Sequence, residues 1–388
     1  MLAGVNVALC VSGSIAAVKT TELAHELRRQ GATVRGVMTE AAQGIVHPWA
    51  VGFATDEPVV TEITGDIEHV ELCGREGWAD VLLLAPATAN TVGKIAAAID
   101  DTPVTTCATT ALGAEMPVVI APAMHEPMYD HPGVVEAISR VESWGVSFVP
   151  PRIEEGKAKI ASADTICLAT ARAAGDRSLE GKHVVVTSGA TVESIDPIRV
   201  LTNRASGRTG KAIARACYAR SAAVTLVQGG LEPESKHLPY ASVESVESAA
   251  EMLEAVEASV NDADALLSAA AIADYTTDAA SEKIRSGGEF TLDLTPTPKL
   301  LDAIRAEHPD LPIVGFKAET SGDEEAMTEQ ARELLERVDL DFVVANDASV
   351  MGEEETRALF VRGDDVTSFT GSKADLGARV AEELAAEF

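Results

Sequence analysis

Apolar residues along the chain come in short blocks that close on small polar residues. "VNVALCVSGSI" near the amino end is one such block. "AAVKTTELAHELRRQG" follows, with a helical pattern and a terminal glycine suited to a helix C-cap. "ATVRGVMTEAA", "ADVLLLAPATAN" and "MPVVIAPAMH" read as further buried strands with polar ends. Strands of this type separated by helices predict a parallel sheet with right-handed crossovers. Ligands of such sheets bind at the carboxyl ends of the strands. The ends "SGSIA", "MTEAA", "PATAN" and "PAMHEPMY" therefore mark an expected site.

The pattern changes near "TARAAGDRSLEG" and then restarts with "KHVVVTSGAT". A helix, "GRTGKAIARACYARSA", and the strands "AVTLVQGG", "ADALLSAAAIADY", "LPIVGFKAET" and "LDFVVANDAS" follow. At 388 residues the chain is too long for one ordinary core. We expect two α/β domains, residues 1–175 and 176–388, both doubly wound.

Charge narrows the function. The 61 acidic residues outnumber the 31 basic ones, for a net charge of −30. Phosphate backbones need clustered cations, so a nucleic-acid partner is disfavoured. The acids are spread along the chain, which suggests a protein adapted to high salt. A melting temperature indifferent to KCl would contradict that. No apolar run reaches the roughly 18 residues of a membrane span, and the amino end does not read as a signal peptide. A cytoplasmic location is expected. The five cysteines are widely spaced with no CxxC, which argues against disulfides and a cysteine zinc site.

Two glycine turns stand before helices. "SGSIAA" at 12–17 could cradle a phosphate on backbone N–H groups, or be a tight turn without a ligand. "NRASGRTGKAIARA" at 203–216 adds Arg204, Arg208 and Lys211, a basic cluster in an acidic chain. A phosphorylated ligand or a capped helix with solvated charges would explain it. His125, in "APAMHEPMYD", could be a metal ligand, an acid/base, a carboxylate holder or a loop residue. A metal set of His47, His125 and His131 lacks zinc spacing, so no side-chain metal site is expected. An NAD(P)-dependent dehydrogenase is a rival reading, but neither turn is GxGxxG with an acid about 20 residues on.

Taken in order, these segments resemble the bifunctional flavoproteins of coenzyme A synthesis, of archaeal type. In that family a phosphopantothenoylcysteine decarboxylase is fused to a phosphopantothenate–cysteine ligase. "VSGSIAAVK", "IEHVEL", "ADVLLLAPATANTVGKIAAAIDD" and "PAMHEPMY" are similar to the decarboxylase half. "VVVTSGATVESIDPIRVLTNRASGRTGKAIA", "SAAAIADY", "EKIRS", "VGFKAET" and "VANDAS" are similar to the ligase half. The resemblance implies a flavodoxin-like or Rossmann-like FMN domain followed by a Rossmann-like ligase domain. It also implies a homo-oligomer, with trimeric decarboxylase contacts, dimeric ligase contacts and a dodecamer as the largest form.

For decarboxylation, the resemblance places FMN at Gly13, Ser14, Ile15, Thr39, Thr88, Asn90, Cys107 and Thr109. Flavin chemistry supplies the electron sink that a cysteine carboxylate lacks. His69 matches the catalytic histidine. His125 stands where the family has an asparagine that holds the substrate carboxylate, a task a histidine donor can also perform. The family's flap cysteine is missing from "PRIEEGKAKIASADTIC", and Cys167 after it reads as buried packing. A non-catalytic FMN-binding regulatory protein, or a ligase whose decarboxylase half has lapsed, are the alternatives this leaves.

For ligation, the resemblance implies 4'-phosphopantothenate, cysteine and CTP as substrates, an acyl-cytidylate, and Mg2+ held through the phosphates. Arg199 and Asn203 match residues acting on the acyl intermediate, and Lys283 a lysine of a mobile loop. Ser268, Ala269, Ala270, Asp274, Thr297, Pro298, Lys299, Leu300 and Phe316 match nucleotide contacts. Leu334 and Val338 replace two family lysines, and Lys317 with Arg337 is the expected substitute pair.

Overall fold

A computed structural model describes residues 1–231, 237–285, 287–319, 323–347 and 355–388. Ser286, Thr320, Ala348 and Ser349, which complete three of the motifs above, lie outside the described residues. The chain forms two compact units, Met1–Asp176 and Arg177–Phe388.

The first unit is built on a five-stranded parallel sheet. Its order is Thr33–Met38, Asn6–Val11, Val81–Ala87, Val118–Pro122 and Ser147–Phe148. Val81–Ala87 is buried at every position, which is why it reads as a continuous apolar run. The chain reverses direction across the sheet after Thr33–Met38. That puts a topological switch point between the carboxyl ends of Asn6–Val11 and Val81–Ala87. The segment read as a short flap is a hairpin, Arg152–Glu154 paired with Lys157–Lys159. Glu155 and Gly156 both have positive φ, 53° and 68°, as a two-residue type I′ turn requires. The hairpin pairs with Met124–His125.

The second unit holds a nine-stranded sheet. Six strands are parallel, in the order Ala241–Val246, Ala223–Gly229, His183–Ser188, Ala265–Ser268, Ile313–Glu319 and Phe342–Asp347. Numbered along the chain this is 3-2-1-4-5-6, the doubly wound dinucleotide-fold order. Antiparallel strands extend both edges: His237–Leu238 on one, Glu355–Arg362 and Asp365–Ser372 on the other. Among the described residues no helix is long and apolar enough to cross a membrane.

Candidate active sites

Hydrogen bonds knit together the strand ends of the first unit. Ser12 Oγ donates to the Pro86 carbonyl (2.8 Å) and accepts from Thr88 N (3.0 Å). Ser14 Oγ donates to the Ala123 carbonyl (3.0 Å), two residues before His125. The Thr39 amide donates to Val11 O (3.1 Å). Gly13, Ser14, Thr39, Thr88 and His125 are thus brought to one edge of the sheet. A side chain at Gly13 would put its Cβ 2.5 Å from that of Ala41, so the turn needs glycine to pack so closely.

The hydroxyls there have local work. Thr39 Oγ1 accepts from Ala42 N (3.2 Å) and Thr88 Oγ1 from Thr91 N (3.2 Å), each capping a helix. Among the described residues the Thr39 hydroxyl proton has no acceptor, which leaves it available to an anion. Ile15, 79 % exposed, and Val18, 56 % exposed, leave an apolar surface beside the turn. Polar strand ends next to bare apolar side chains fit a phosphorylated aromatic cofactor. Asn90 and Thr109 are exposed on the helices Ala89–Ala96 and Pro103–Gly113.

His69 stands in the helix Glu68–Cys73, which packs on Pro103–Gly113. Its Nδ1 is buried without a hydrogen-bond partner. Ile67, just before this helix, has φ 49°, a strained value for a β-branched residue. Glu68 is hydrogen-bonded by the Thr64 hydroxyl and amide, which hold its carboxyl below the usual range.

Cys107 is a correction. Its side chain is fully buried in the core with Cys10 and Cys73, so it does not line the cofactor surface. The thiols of Cys10 and Cys73 are pushed up, first by hydrogen bonding to Cys107 and then by burial. Those same bonds pull Cys107 down against its burial. His47 and His131 spend Nδ1 on Trp49 N (3.2 Å) and Gly133 N (3.1 Å), capping their own helices.

In the second unit, Gly207 precedes the helix Arg208–Ala219 with φ 70°. A Cβ there would come within 2.9 Å of Gly189 N and Ser188 Oγ, so the turn at Gly207 nests against the one at Gly189, at the carboxyl end of His183–Ser188. Asn203 Nδ2 donates to Ala271 O (3.1 Å), and Ala270 N donates to Thr187 Oγ1 (3.1 Å). These bonds lay the 203–207 loop beside Ser268, Ala269 and Ala270. Asp274 Oδ1 is 2.6 Å from Lys299 Nζ, and Thr297 N donates to Asp274 O (3.0 Å). "SAAAIADY" and "TPKL" therefore meet, with Pro298 exposed between Thr297 and Lys299.

Sequence reasoning missed Asp196. Its carboxylate is fully buried and accepts from Ile198 N (2.8 Å), Arg199 N (2.8 Å), Ile284 N (3.1 Å) and Arg199 Nη1 (2.7 Å). Arg199 Nη2 also donates to Ile284 O (3.0 Å). Arg199 thus ties the segment bearing Lys283 to its own turn. Burial alone would push the Asp196 carboxyl up, but its donors outweigh that and hold it below the ordinary value. The only signal was an acid before proline in "SIDPIR".

Residues 1–175 match the family model described as Flavoprotein. Residues 179–388 match the DNA/pantothenate metabolism flavoprotein C-terminal domain. The chain is 47 % identical over 388 residues to the coenzyme A biosynthesis bifunctional protein CoaBC of Thermococcus kodakarensis, covering 99 % of this chain and 95 % of that one. It is 35 % identical over 389 residues to the protein of the same name from Methanocaldococcus jannaschii, covering 99 % and 94 %. One solved structure, an FMN-dependent cysteine decarboxylase, SpaF, is 30 % identical with a TM-score of 0.39, covering 44 % of this chain and 99 % of its own. The chain belongs to the CoaBC family. It is a bifunctional enzyme of coenzyme A biosynthesis and a flavoprotein. The dehydrogenase reading falls with that membership.

Within the CoaBC frame, two nucleotide expectations need correction. Leu300 is 4 % exposed in the core, where it starts the helix Leu300–Glu307, so its side chain is packing. Arg337 lies at the carboxyl end of the helix Glu324–Val338, just before the strand Phe342–Asp347 begins, and pairs with Asp302. That is the amino edge of the parallel sheet, the wrong end for a triphosphate. Lys317 is on the strand Ile313–Glu319, with Nζ 3.6 Å from Glu319 Oε1. Strand alternation puts Phe316 and Lys317 on opposite faces, so they do not meet a nucleotide from the same side.

Proposed function

We propose that residues 1–175 carry the decarboxylase and residues 176–388 the ligase. The ligase joins cysteine to 4'-phosphopantothenate with CTP, through an acyl-cytidylate. The decarboxylase converts the cysteinyl product to 4'-phosphopantetheine. The observation that carries this reading is the tie from Ser14 to Ala123, which sets His125 beside the turn at Gly13.

When bound, FMN supplies the reversible two-electron chemistry that makes the cysteinyl carbon an electron sink. The turn 12–14, Thr39 and Thr88 hold its phosphate, and Ile15 and Val18 cover apolar surface. His69 keeps Nδ1 in the protein and turns Nε2 to the reacting group as acid or base. His125 holds the substrate carboxylate, orienting the bond that breaks.

In the second unit, backbone donors around Gly207 and the start of Arg208–Ala219 receive phosphates. Ser268, Ala269, Ala270, Asp274, Thr297, Pro298 and Lys299 shape the base and ribose site. Asn203 and Arg199 flank the acyl phosphate, and Lys283 approaches from the segment pinned by Asp196. Mg2+ is held through the phosphates.

The protein acts as a homo-oligomer in the cytoplasm. Trp49 and Phe53, 84 % and 83 % exposed one helical turn apart, support a covered face. The cysteines, all free and buried, support a reducing compartment. The flap hairpin without a thiol favours a second reading, ligation alone. His125→Asn should retain substantial decarboxylation, and His125→Ala should lose most of it, with ligase rates unchanged in both. Full decarboxylase activity in His125→Ala would remove this residue from the site.

A further inference from the structure

The flap hairpin carries Arg152, Glu154, Glu155, Lys157 and Lys159, and its charges are unequally paired. Lys159 Nζ lies 3.1 Å from carboxylate oxygens of both Glu154 and Glu155. Arg152 Nη1 lies 3.3 Å from the second oxygen of Glu154. Both hairpin carboxylates are thus engaged. Lys157, although the register partner of Glu154, is in none of the ion pairs or side-chain hydrogen bonds of the described residues.

On its other side Lys157 is the register partner of His125. Residues directly opposite on antiparallel strands share a face, with Cβ atoms about 4.5–5.5 Å apart. Met124, Ala158 and Ile153 form the adjacent row on the opposite face. Ala158 is 1 % exposed, so that face is covered at the middle strand although Ile153 on the outer strand is 52 % exposed, while Lys157 and His125 are both exposed on theirs. His125 is exposed, and its side chain makes no cap hydrogen bond to the helix it precedes.

Two adjacent donors therefore lack an acceptor in a chain with 61 acidic residues. Neighbouring donors of this kind are best satisfied by a shared anion. We infer that Lys157 and His125 together grip the carboxylate of the cysteinyl substrate, Lys157 as an ionic anchor carried on the hairpin. The inference rests on the placement of His125 in the decarboxylase site. His125 lies two residues beyond Ala123, which is tied to the strand-end turn, and strand register brings Lys157 beside it, so the pair is near the turn where the reacting end of the substrate is proposed to lie.

Decarboxylation kinetics of Lys157→Met and Lys157→Arg test this, with flavin content as the check on folding. Lys157→Met should raise KM about ten-fold or more while kcat changes less, as loss of one charge-assisted hydrogen bond predicts. Lys157→Arg should restore most of the loss, and ligase rates should not move. Titration with 4'-phosphopantetheine, which keeps the phosphate and lacks the carboxylate, should give the same affinity in wild type and Lys157→Met. An equal fall for both ligands would place the grip on the phosphate and overturn the inference. An unchanged KM in Lys157→Met with a crippled His125→Ala would overturn it and leave His125 in place. Full activity in both variants would overturn both readings.

Discussion

Asp196 shows how one buried carboxylate organises a site without touching the reaction. Its folded-state pKa is lowered, so its contribution to stability is present above the unfolded value of about 3.9 and is lost as pH falls through the folded one. Asp196→Asn should therefore melt below wild type at pH 7, and the gap should close as pH drops below about 4. Ligase activity should fall with it, because Arg199 and the Lys283 segment lose their shared anchor. A gap that stays constant down to pH 3 would contradict this. Cys107 teaches the reverse lesson. A small polar residue in a cofactor motif reads as a contact, yet cysteine is equally at home in a core, and only packing decides.

At the level of elements, the parallel strands were legible because burial on both faces leaves continuous apolar runs. Val81–Ala87 and His183–Ser188 are buried almost throughout. The strand-end turns were legible for the same reason, since polar residues return where a buried strand stops. Helix direction was not legible in the same way. Glu324–Val338 spans 15 residues, roughly 22 Å, so its two ends serve opposite edges of the sheet. Sequence matching put Arg337 beside Lys317, and the crossover puts it at the far edge. The hairpin Glu355–Ser372 escaped notice because it extends an already complete parallel sheet and carries no motif. The pairing of Lys157 with His125 was likewise invisible, because 32 residues separate partners that strand register places side by side.

At the scale of the molecule, each unit brings its strand-end turns together at the carboxyl edge of a doubly wound sheet, as the fold dictates. Membership of the CoaBC family gives the two activities their order, since the ligase product is the decarboxylase substrate. The claim that joins these facts is that one chain performs both steps. The direct measurement gives the purified protein 4'-phosphopantothenate, cysteine, Mg2+ and CTP, and follows CO2 and phosphopantetheine together. Both should form in equal amounts. Accumulation of phosphopantothenoylcysteine without CO2 would contradict the account of the first unit, and no product with either CTP or ATP would contradict it for both.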